Sequence, residues 1–388
     1  MKKKPVTSTA SAAVAAEDVK LLRQAAEQGD AAAQFKLGNA YGFGKGVKKD
    51  PAEAAKWFRL AAVQGHAEAQ FNLGLTYDCG DGVAQDKAEA AKWFRSAAVQ
   101  GLAEAQLNLG EACFWGNGLE EDKAEAVKWY RLAAEQGHAE ARFRLGMCYK
   151  FGEGVKKNRP KAAKYFSLAA DQGHAQARFH LGQAYERGDG VVKDKAVAAK
   201  WYRLAAEQGH AEAQLSLGYA YFYGHGVEKN RAEALKWFRL AAVQGYAEAQ
   251  CNLGFYYNRG ESVEEDKAEA VKWYRLAAEP GNASGQYHLG RAYELGEGVE
   301  EDKAEAVKWF RLAAVQGHAQ ARFHLGQAYE LGEGVAEDKA EAVKWFRLAA
   351  EQGHAQARFH LGQAYERGEG VALDKAEAAK WFRLAEEK

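Results

Sequence analysis

Residues 66–101 of the chain read HAEAQFNLGLTYDCGDGVAQDKAEAAKWFRSAAVQG, and this stretch sets the pattern for almost the whole sequence. The glycine that closes it belongs to a series with a constant step of 36 residues and no insertion. The series runs through Gly29, Gly65, Gly101, Gly137, Gly173, Gly209, Gly245, Gly281, Gly317 and Gly353. A fixed period of this length is the signature of a repeat protein, in which each unit packs on its neighbours.

Each unit is predicted to contain two helices joined by a glycine-rich turn. In the quoted unit the first, helix A, is expected from Ala67 to about Cys79, and the glycines that follow supply the positive φ angles of the turn. Asp86 then caps helix B, and Glu89 three residues later completes a capping box. Gly101 ends helix B and leads into the next unit.

The period also sets the predicted domain organisation. Ten units of 36 residues cover residues 30–388 as one continuous solenoid. Residues 17–29 supply the second helix of an incomplete leading unit, and residues 1–16 form a flexible leader. Because a single pair of short helices cannot bury its apolar face, stacked pairs share one core. The sequence therefore predicts an all-α protein, an α/α superhelical solenoid of ten helix-turn-helix repeats.

One glycine in each unit lies inside helix A, as Gly74 does. A glycine in mid-helix costs about 1 kcal/mol relative to alanine, so ten of them need a compensating contact. We expect a neighbouring helix to approach closely at this glycine, beneath the recurrent tryptophan that Trp93 represents.

The unit pattern is Ala-x-Ala-x-x-x-Leu-Gly-x-x-Tyr-x-x-Gly-x-Gly-Val, followed by Asp-x-x-x-Ala-x-x-Trp-(Phe/Tyr)-x-x-Ala-Ala-x-x-Gly. This pattern resembles the Sel-1-like repeat, a relative of the tetratricopeptide repeat, over residues 17–388. Departures are Cys113 for the tyrosine, Tyr165 for the tryptophan and Ser262 for the second turn glycine. The resemblance implies an α/α superhelix and a scaffold or adaptor role, often in bacterial signalling or envelope assembly and in eukaryotic protein quality control.

Composition argues against several classes of protein. Lys+Arg and Asp+Glu both number 53, so the chain lacks the basic surplus that nucleic-acid binding needs. No run of apolar residues is long enough for a transmembrane helix, and none is expected.

The cysteines favour a reducing compartment. Cys79, Cys113, Cys148 and Cys251 follow no regular spacing, which argues against a disulfide framework. We therefore expect a cytoplasmic protein. The alternative is a periplasmic or secreted protein, if the lysine-rich start belongs to a signal peptide.

No residue pattern indicates catalysis. The Gly-x-Gly turns follow helices, whereas a phosphate-binding loop follows a strand. His288, His324 and His360 fall in successive units, and a spacing of about 10 Å between packed helices is too wide for one metal ion. We expect no enzyme activity, no catalytic residue, no cofactor and no metal. One cysteine-rich branch of the family, the Helicobacter type, has been labelled β-lactamase, but it carries a disulfide in each repeat. A hydrolase is therefore the weakest hypothesis.

Positions that vary between units are where recognition can be encoded. We call the glycine that closes each unit the unit glycine and number the residues after it from 1. Positions 3, 7, 10 and 14 vary most between units and share one side of helix A. By analogy with tetratricopeptide arrays, this side lines a concave groove, where exposed aromatic and arginine side chains are typical of recognition. The candidate partner-binding residues there are Trp115, Arg144, Met147, Phe151, Arg187, Tyr219, Tyr223, Phe255 and Arg259. The alternative is that some of these rings only fill gaps between adjacent helices.

Two functions remain open from the sequence. The first is a non-enzymatic scaffold or adaptor, expected to be a monomer, that binds a peptide or protein in the groove. The second is a structural or consensus-engineered array without a dedicated ligand, which the close similarity of the ninth and tenth units favours.

Residues 260–285 combine three departures from the repeat pattern. Ser262 replaces a turn glycine, Pro280 replaces the glutamine before the unit glycine, and Gly285 replaces an alanine inside helix A. The three changes respectively strain a left-handed turn, remove a backbone donor and add about 1 kcal/mol of helix cost. We expect the array to open first at this joint.

Overall fold

The computed structural model describes residues 19–387, and every regular element in that range is an α-helix. The predicted leader lies outside the described residues. The chain divides into two compact units, an N-terminal unit Met1–Asp194 and a C-terminal unit Lys195–Lys388. Within each unit, consecutive helices pack in pairs and each pair packs on the next.

Helix α1 covers residues 19–27, within the predicted leading helix. The A helices are α2 (Ala31–Phe43), α4 (Ala67–Cys79), α6 (Ala103–Trp115), α8 (Ala139–Phe151), α10 (Ala175–Arg187), α12 (Ala211–Tyr223), α14 (Ala247–Arg259), α16 (Ala283–Leu295), α18 (Ala319–Leu331) and α20 (Ala355–Arg367). The B helices are α3 (Pro51–Val63), α5 (Lys87–Val99), α7 (Lys123–Glu135), α9 (Arg159–Ala170), α11 (Lys195–Ala206), α13 (Arg231–Val243), α15 (Lys267–Ala278), α17 (Lys303–Val315), α19 (Lys339–Ala350) and α21 (Lys375–Glu386). The predicted repeat of helix pairs is confirmed, and α4 has the predicted bounds.

The A helices begin at a side-chain cap and end at a glycine. In α4 the backbone N–H of Ala69 donates to Nδ1 of His66, 3.4 Å away. Gly80 ends the helix with φ 77°, and its N–H donates to the carbonyl of Thr76. The histidine that opens most units, which gave no clear signal in the sequence, therefore serves as a helix N-cap.

The B helices begin as the capping pattern predicts. The N–H of Glu89 donates to the Asp86 carboxylate at 2.9 Å, which satisfies one of the free donors of the first turn. Gly101 follows the end of α5 with φ 95°, a left-handed conformation that glycine adopts at little cost.

The glycine inside helix A marks a close contact, but not with the tryptophan. A Cβ atom built on Gly74 would lie 2.6 Å from the Phe94 ring of α5. Phe94 is 3% exposed, whereas Trp93 beside it is only partly buried. The expectation of a close approach is confirmed, and the expectation that Trp93 covers the glycine is wrong. The two side chains are adjacent on α5, and it is Phe94 that points at α4.

The second turn glycine fits against the preceding repeat. A Cβ atom on Gly118 would lie 2.1 Å from the backbone carbonyl carbon of Lys87, at the start of α5. Gly118 also has φ 72°, so both space and backbone conformation favour glycine. Ser262 occupies the matching place and is the one residue other than glycine with positive φ among residues 19–387, at 62°.

Polar side chains join neighbouring repeats. Nε2 of Gln100 donates to Oε1 of Gln70 at 2.7 Å, and Nε2 of Gln70 donates to the carbonyl of Ala62 at 3.0 Å. Nζ of Lys123, at the start of α7, lies 3.0 Å from the carboxylate of Glu153, in the turn after α8. The contacts from Gln70 to Ala62 and from Lys123 to Glu153 each span two units and fix the register of one helix pair on the next. The bond from Gln100 to Gln70 joins the two helices of one unit.

Candidate partner-binding surface

Each candidate residue at position 14 is the last residue of its A helix and is exposed. Trp115, Phe151 and Tyr223 are 61%, 56% and 58% exposed, which is unusual for large aromatic side chains. In contrast, Leu109 and Leu145 on the same helices are 0% exposed. The ends of the A helices therefore present rings to solvent while their middles pack in the core.

Four candidate residues of the N-terminal unit come together around one cavity of about 140 Å³. We call it the Trp115 cavity, and α6, α7 and α8 form it. Its lining residues are Glu111, Phe114, Trp115, Tyr130, Arg144, Met147, Cys148, Phe151 and Glu153. Trp115, Arg144, Met147 and Phe151 thus belong to one site.

Glu111 is the polar centre of the Trp115 cavity. It accepts a hydrogen bond from the Tyr130 hydroxyl at 2.7 Å and another from Nε1 of Trp115 at 3.2 Å. Nε of Arg144 lies 3.1 Å from the same carboxylate. Burial raises the pKa of Tyr130, and the Glu111 charge raises it further, so the phenol remains a neutral donor. Glu111 thus contacts three side chains of the cavity, the buried Tyr130 and the more exposed Trp115 and Arg144.

Arg144 is also tied to the next repeat. Its Nε lies 2.8 Å from Glu140, whose other carboxylate oxygen lies 2.8 Å from Nε2 of His174. The hydrogen bond from His174 is the largest cause that lowers the pKa of Glu140, and Arg144 lowers it too. The charge of Arg144 is therefore compensated by two carboxylates within the array.

Phe151 and Arg187 line a second cavity of about 120 Å³, formed by α8, α9 and α10. We call it the Lys150 cavity. Its lining residues are Lys150, Phe151, Lys157, Arg159, Ala162, Ala163, Phe166, His180, Gln183, Ala184, Arg187 and Asp189. Phe151 belongs to both cavities, so the two lie side by side. Lys150 was not among the residues predicted from the sequence, because it occupies position 13, outside the four variable positions.

The candidate residues of the C-terminal unit form two ring contacts. Tyr219 and Tyr223 stack on α12 with centroids 6.0 Å apart and planes at 19°. On α14, the Arg259 guanidinium lies 4.7 Å from the centroid of the Phe255 ring. Both pairs are one turn of helix apart in sequence, as the shared side of helix A predicts.

Tyr219 connects α12 to α14. Its hydroxyl donates to the Glu248 carboxylate at 2.7 Å and accepts from Nδ2 of Asn252 at 2.8 Å. Burial raises the pKa of Tyr219, and the hydrogen bond to Glu248 acts in the same direction. Tyr219 is therefore a structural link with a partly covered ring, whereas Tyr223 is the exposed member of the pair.

Within residues 19–387, no group of three or more His, Cys, Asp or Glu side chains is arranged to hold a metal ion. In the same range, no helix combines the length and the apolar character that a membrane crossing requires.

The architecture defines an all-helical repeat protein built from pairs of short helices. The family model described as Sel1 repeat matches residues 19–30, 31–66, 67–102, 103–138, 139–174, 175–210, 211–246, 247–282, 283–318, 319–354 and 355–388. The chain belongs to the Sel1 repeat family, whose fold is typical of protein-interaction scaffolds.

Two solved structures extend this result. A protective antigen present in uropathogenic Escherichia coli strains, which displays an SLR fold, is 38% identical over 95% of this chain and 86% of its own, with a TM-score of 0.73. A Sel1 repeat protein from Oxalobacter formigenes is 33% identical over 84% of this chain and 97% of its own, with a TM-score of 0.63. No curated protein matches the chain.

Proposed function

We propose that the chain is a non-enzymatic interaction scaffold that binds a peptide or protein through the exposed ends of its A helices. The observation that carries this proposal is the Trp115 cavity, where two rings more than half exposed, Trp115 and Phe151, flank a partly buried polar network. Neither residue belongs to the repeated frame of the fold, so packing of the array does not explain them.

The cavity has the chemistry of a recognition site. Large, rigid aromatic side chains supply contact area at low entropy cost and dominate binding energies at interfaces. Glu111 holds Trp115 and Arg144 in their positions before a partner arrives, which lowers the cost of ordering them. A partner would gain apolar contact from the rings and orientation from the polar groups between them.

The thiol in the cavity is not set up as a nucleophile. Burial raises the pKa of Cys148 to about 12, so it stays protonated near neutral pH. This supports a binding role rather than covalent chemistry. We propose further that the protein is monomeric and cytoplasmic, in keeping with four cysteines that are all free thiols.

The second candidate function is a structural array without a dedicated ligand. It is favoured by Tyr219 and Arg259, which make their contacts to neighbouring side chains of the array itself. The two functions differ in what the exposed rings do, and this difference can be measured.

The test is quantitative affinity capture from the source cells with the full chain as bait. We expect the double variant Trp115→Ala/Tyr223→Ala to lose its partner and to keep the melting temperature of the parent. Leu295→Ala/Leu331→Ala is the matched control, because both leucines also end A helices and are 50% and 61% exposed. Equal capture by the parent and both variants would contradict the proposal, and so would a large loss of stability in the aromatic variant.

A further inference from the structure

The Lys150 cavity has a counterpart four repeats further along the chain. The counterpart, which we call the Glu294 cavity, measures about 180 Å³ and is formed by α16, α17 and α18. Phe166, Gln183, Ala184 and Asp189 in the first correspond to Phe310, Gln327, Ala328 and Glu333 in the second. The repeated fold therefore forms an equivalent cavity twice. The residues that differ between the two cavities determine how their charges differ.

Two substitutions reverse the electrostatic character of the site. Lys150 stands where the second cavity has Glu294, and Arg187 stands where it has Leu331. Both changes make the Lys150 cavity more positive.

The same histidine contact shows the charge reversal directly. Nδ1 of His324 lies 3.4 Å from the Glu294 carboxylate, a favourable pair when the imidazole is protonated. In the Lys150 cavity, Nδ1 of His180 lies 3.2 Å from Nζ of Lys150 instead. A contact that elsewhere joins a histidine to an acid here joins it to an ammonium group.

The positive charge of the Lys150 cavity is only partly balanced by the array. Asp189 is the one acidic residue in its lining, and it is occupied by Nη1 of Arg159 at 2.9 Å. Neither Lys150 nor Arg187 has a carboxylate within ion-pair distance in the described part of the chain. Burial lowers the pKa of Lys150 and the charge of Arg187 lowers it further, whereas the charge of Asp189 acts in the opposite direction. Two like charges beside apolar walls are electrostatically unfavourable until an anion enters.

The neighbouring Trp115 cavity indicates which chemical group of a ligand should lie next to the anion. It shares Phe151 with the Lys150 cavity, and its own charged groups are already paired. Glu111 lies beside Arg144, and Glu153 lies beside Lys123. Its remaining open walls are the rings of Trp115 and Phe151 and the side chain of Met147. An apolar side chain fits there, immediately beside the site for a negative charge.

We propose that the Lys150 cavity binds the carboxylate of an aspartate or glutamate side chain from a peptide whose adjacent apolar residue enters the Trp115 cavity. This inference rests on the proposed function and names the chemistry of the partner. Lys+Arg and Asp+Glu are both 53, so the chain as a whole lacks the basic surplus that is typical of nucleic-acid binding, which favours an acidic peptide as the ligand.

The test uses fluorescence anisotropy with the full-length protein and defined peptides. The probes are acetylated and amidated peptides that carry one leucine or tryptophan and one glutamate at a spacing of one to four residues, each with a glutamine twin. We expect glutamate peptides to bind more tightly than their glutamine twins, and this preference to weaken as salt is added.

The deciding variant is Lys150→Glu/Arg187→Leu, which transplants the residues of the Glu294 cavity and therefore suits the fold. We expect it to lose at least about tenfold in affinity for the glutamate peptide while its melting temperature stays near that of the parent. Lys164→Glu/Lys200→Gln is the control, because it changes the net charge equally at exposed helix residues outside the cavity. The control should keep the affinity of the parent.

Several results would overturn the inference. They are equal binding of glutamate and glutamine peptides, unchanged binding by Lys150→Glu/Arg187→Leu, or no binding of any peptide to the parent. Displacement of the peptide by inorganic phosphate or by oligothymidylate at comparable concentration would also reject the carboxylate assignment. If Trp115→Ala/Tyr223→Ala abolishes partner capture while the charge variant binds normally, the proposed function stands and the carboxylate site fails.

Discussion

Pro280 leaves the side-chain oxygen of Gln250 without a hydrogen-bond donor. In five other repeats the glutamine before the unit glycine donates to the glutamine of the preceding A helix, as Gln316 donates to Oε1 of Gln286 at 2.8 Å. Proline at 280 has no such donor, and Oε1 of Gln250 is buried with no hydrogen-bond partner among the described residues. A buried unpaired acceptor costs about 1–3 kcal/mol.

The change Pro280→Gln should therefore stabilise the protein by about 1–2 kcal/mol, because it restores both the backbone donor and the bond to Gln250. Denaturant unfolding of the full chain measures this difference. Pro280→Ala is the control, since it restores the backbone donor alone and should remain close to the parent. If Pro280→Gln is no more stable than Pro280→Ala, the glutamine bond between the two helices of the repeat contributes nothing to stability.

Ser262 should strain the turn in which it lies. Its φ of 62° costs about 1–2 kcal/mol for a residue with a β-carbon. Ser262→Gly should relieve that strain and slow hydrogen exchange of amides 260–285, which we expect to exchange faster in the parent than matching amides elsewhere. The reverse change, Gly298→Ser, should destabilise the next turn, because a Cβ there would lie 2.1 Å from the carbonyl oxygen of Lys267. Equal exchange rates in parent and Ser262→Gly would reject the weak joint.

Two glycine-to-alanine changes should have opposite signs. Gly110→Ala places a Cβ 2.6 Å from the Tyr130 ring, and overpacking should cost about 1–3 kcal/mol despite the better helix propensity of alanine. Gly42→Ala, also on an A helix, meets only the Ala54 Cβ at 3.8 Å and should gain up to about 1 kcal/mol. Thermal unfolding measures both. If Gly110→Ala stabilised the protein, the close contact with Tyr130 would not be the reason that position 110 holds glycine.

Acid should weaken the C-terminal unit through His288. Burial, together with the charges of His318 and Arg291, lowers its pKa to about 4. Its ring stacks on Tyr274 with the centroids 4.9 Å apart. The unfolded chain, with the ordinary pKa of 6.5, binds the proton more tightly than the folded chain. Stability is thus retained above pH 6.5 and lost as the pH falls toward 4, by about 3 kcal/mol for this group.

The equivalent position in the preceding unit is Asn252. The variant His288→Asn should therefore suit the fold and remove this part of the pH dependence. Unfolding free energies of parent and variant at about pH 7 and about pH 4.5 give the comparison. An identical loss of stability in both proteins would show that His288 is not the group responsible.

Much of the fold could be predicted from sequence, because its determinants are local. The step of the unit glycines predicts the helix pairs, and Asp86 with Glu89 predicts the start of helix B. The partner of Gly74 could not be predicted, because Trp93 and Phe94 are neighbours in sequence and the crossing of two helices decides which ring faces the glycine.

The candidate surface was harder to predict because it depends on contacts between repeats. The exposed rings Trp115 and Phe151 follow from variation between units, and the structure places them on adjacent cavities. Lys150 contacts His180, which lies 30 residues away in the chain and 3.2 Å away in space. A pattern read one helix at a time contains no signal for that contact.

Site-specific photo-crosslinking tests the interaction surface most directly. With the captured partner present, Phe151→p-benzoylphenylalanine should crosslink to it, because residue 151 is 56% exposed at the junction of the two cavities. The same group at Val99, which is 69% exposed at the end of a B helix, should give no crosslink. Crosslinks from position 99 without any from position 151 would show that the partner binds elsewhere, and the account of the A-helix surface would be wrong.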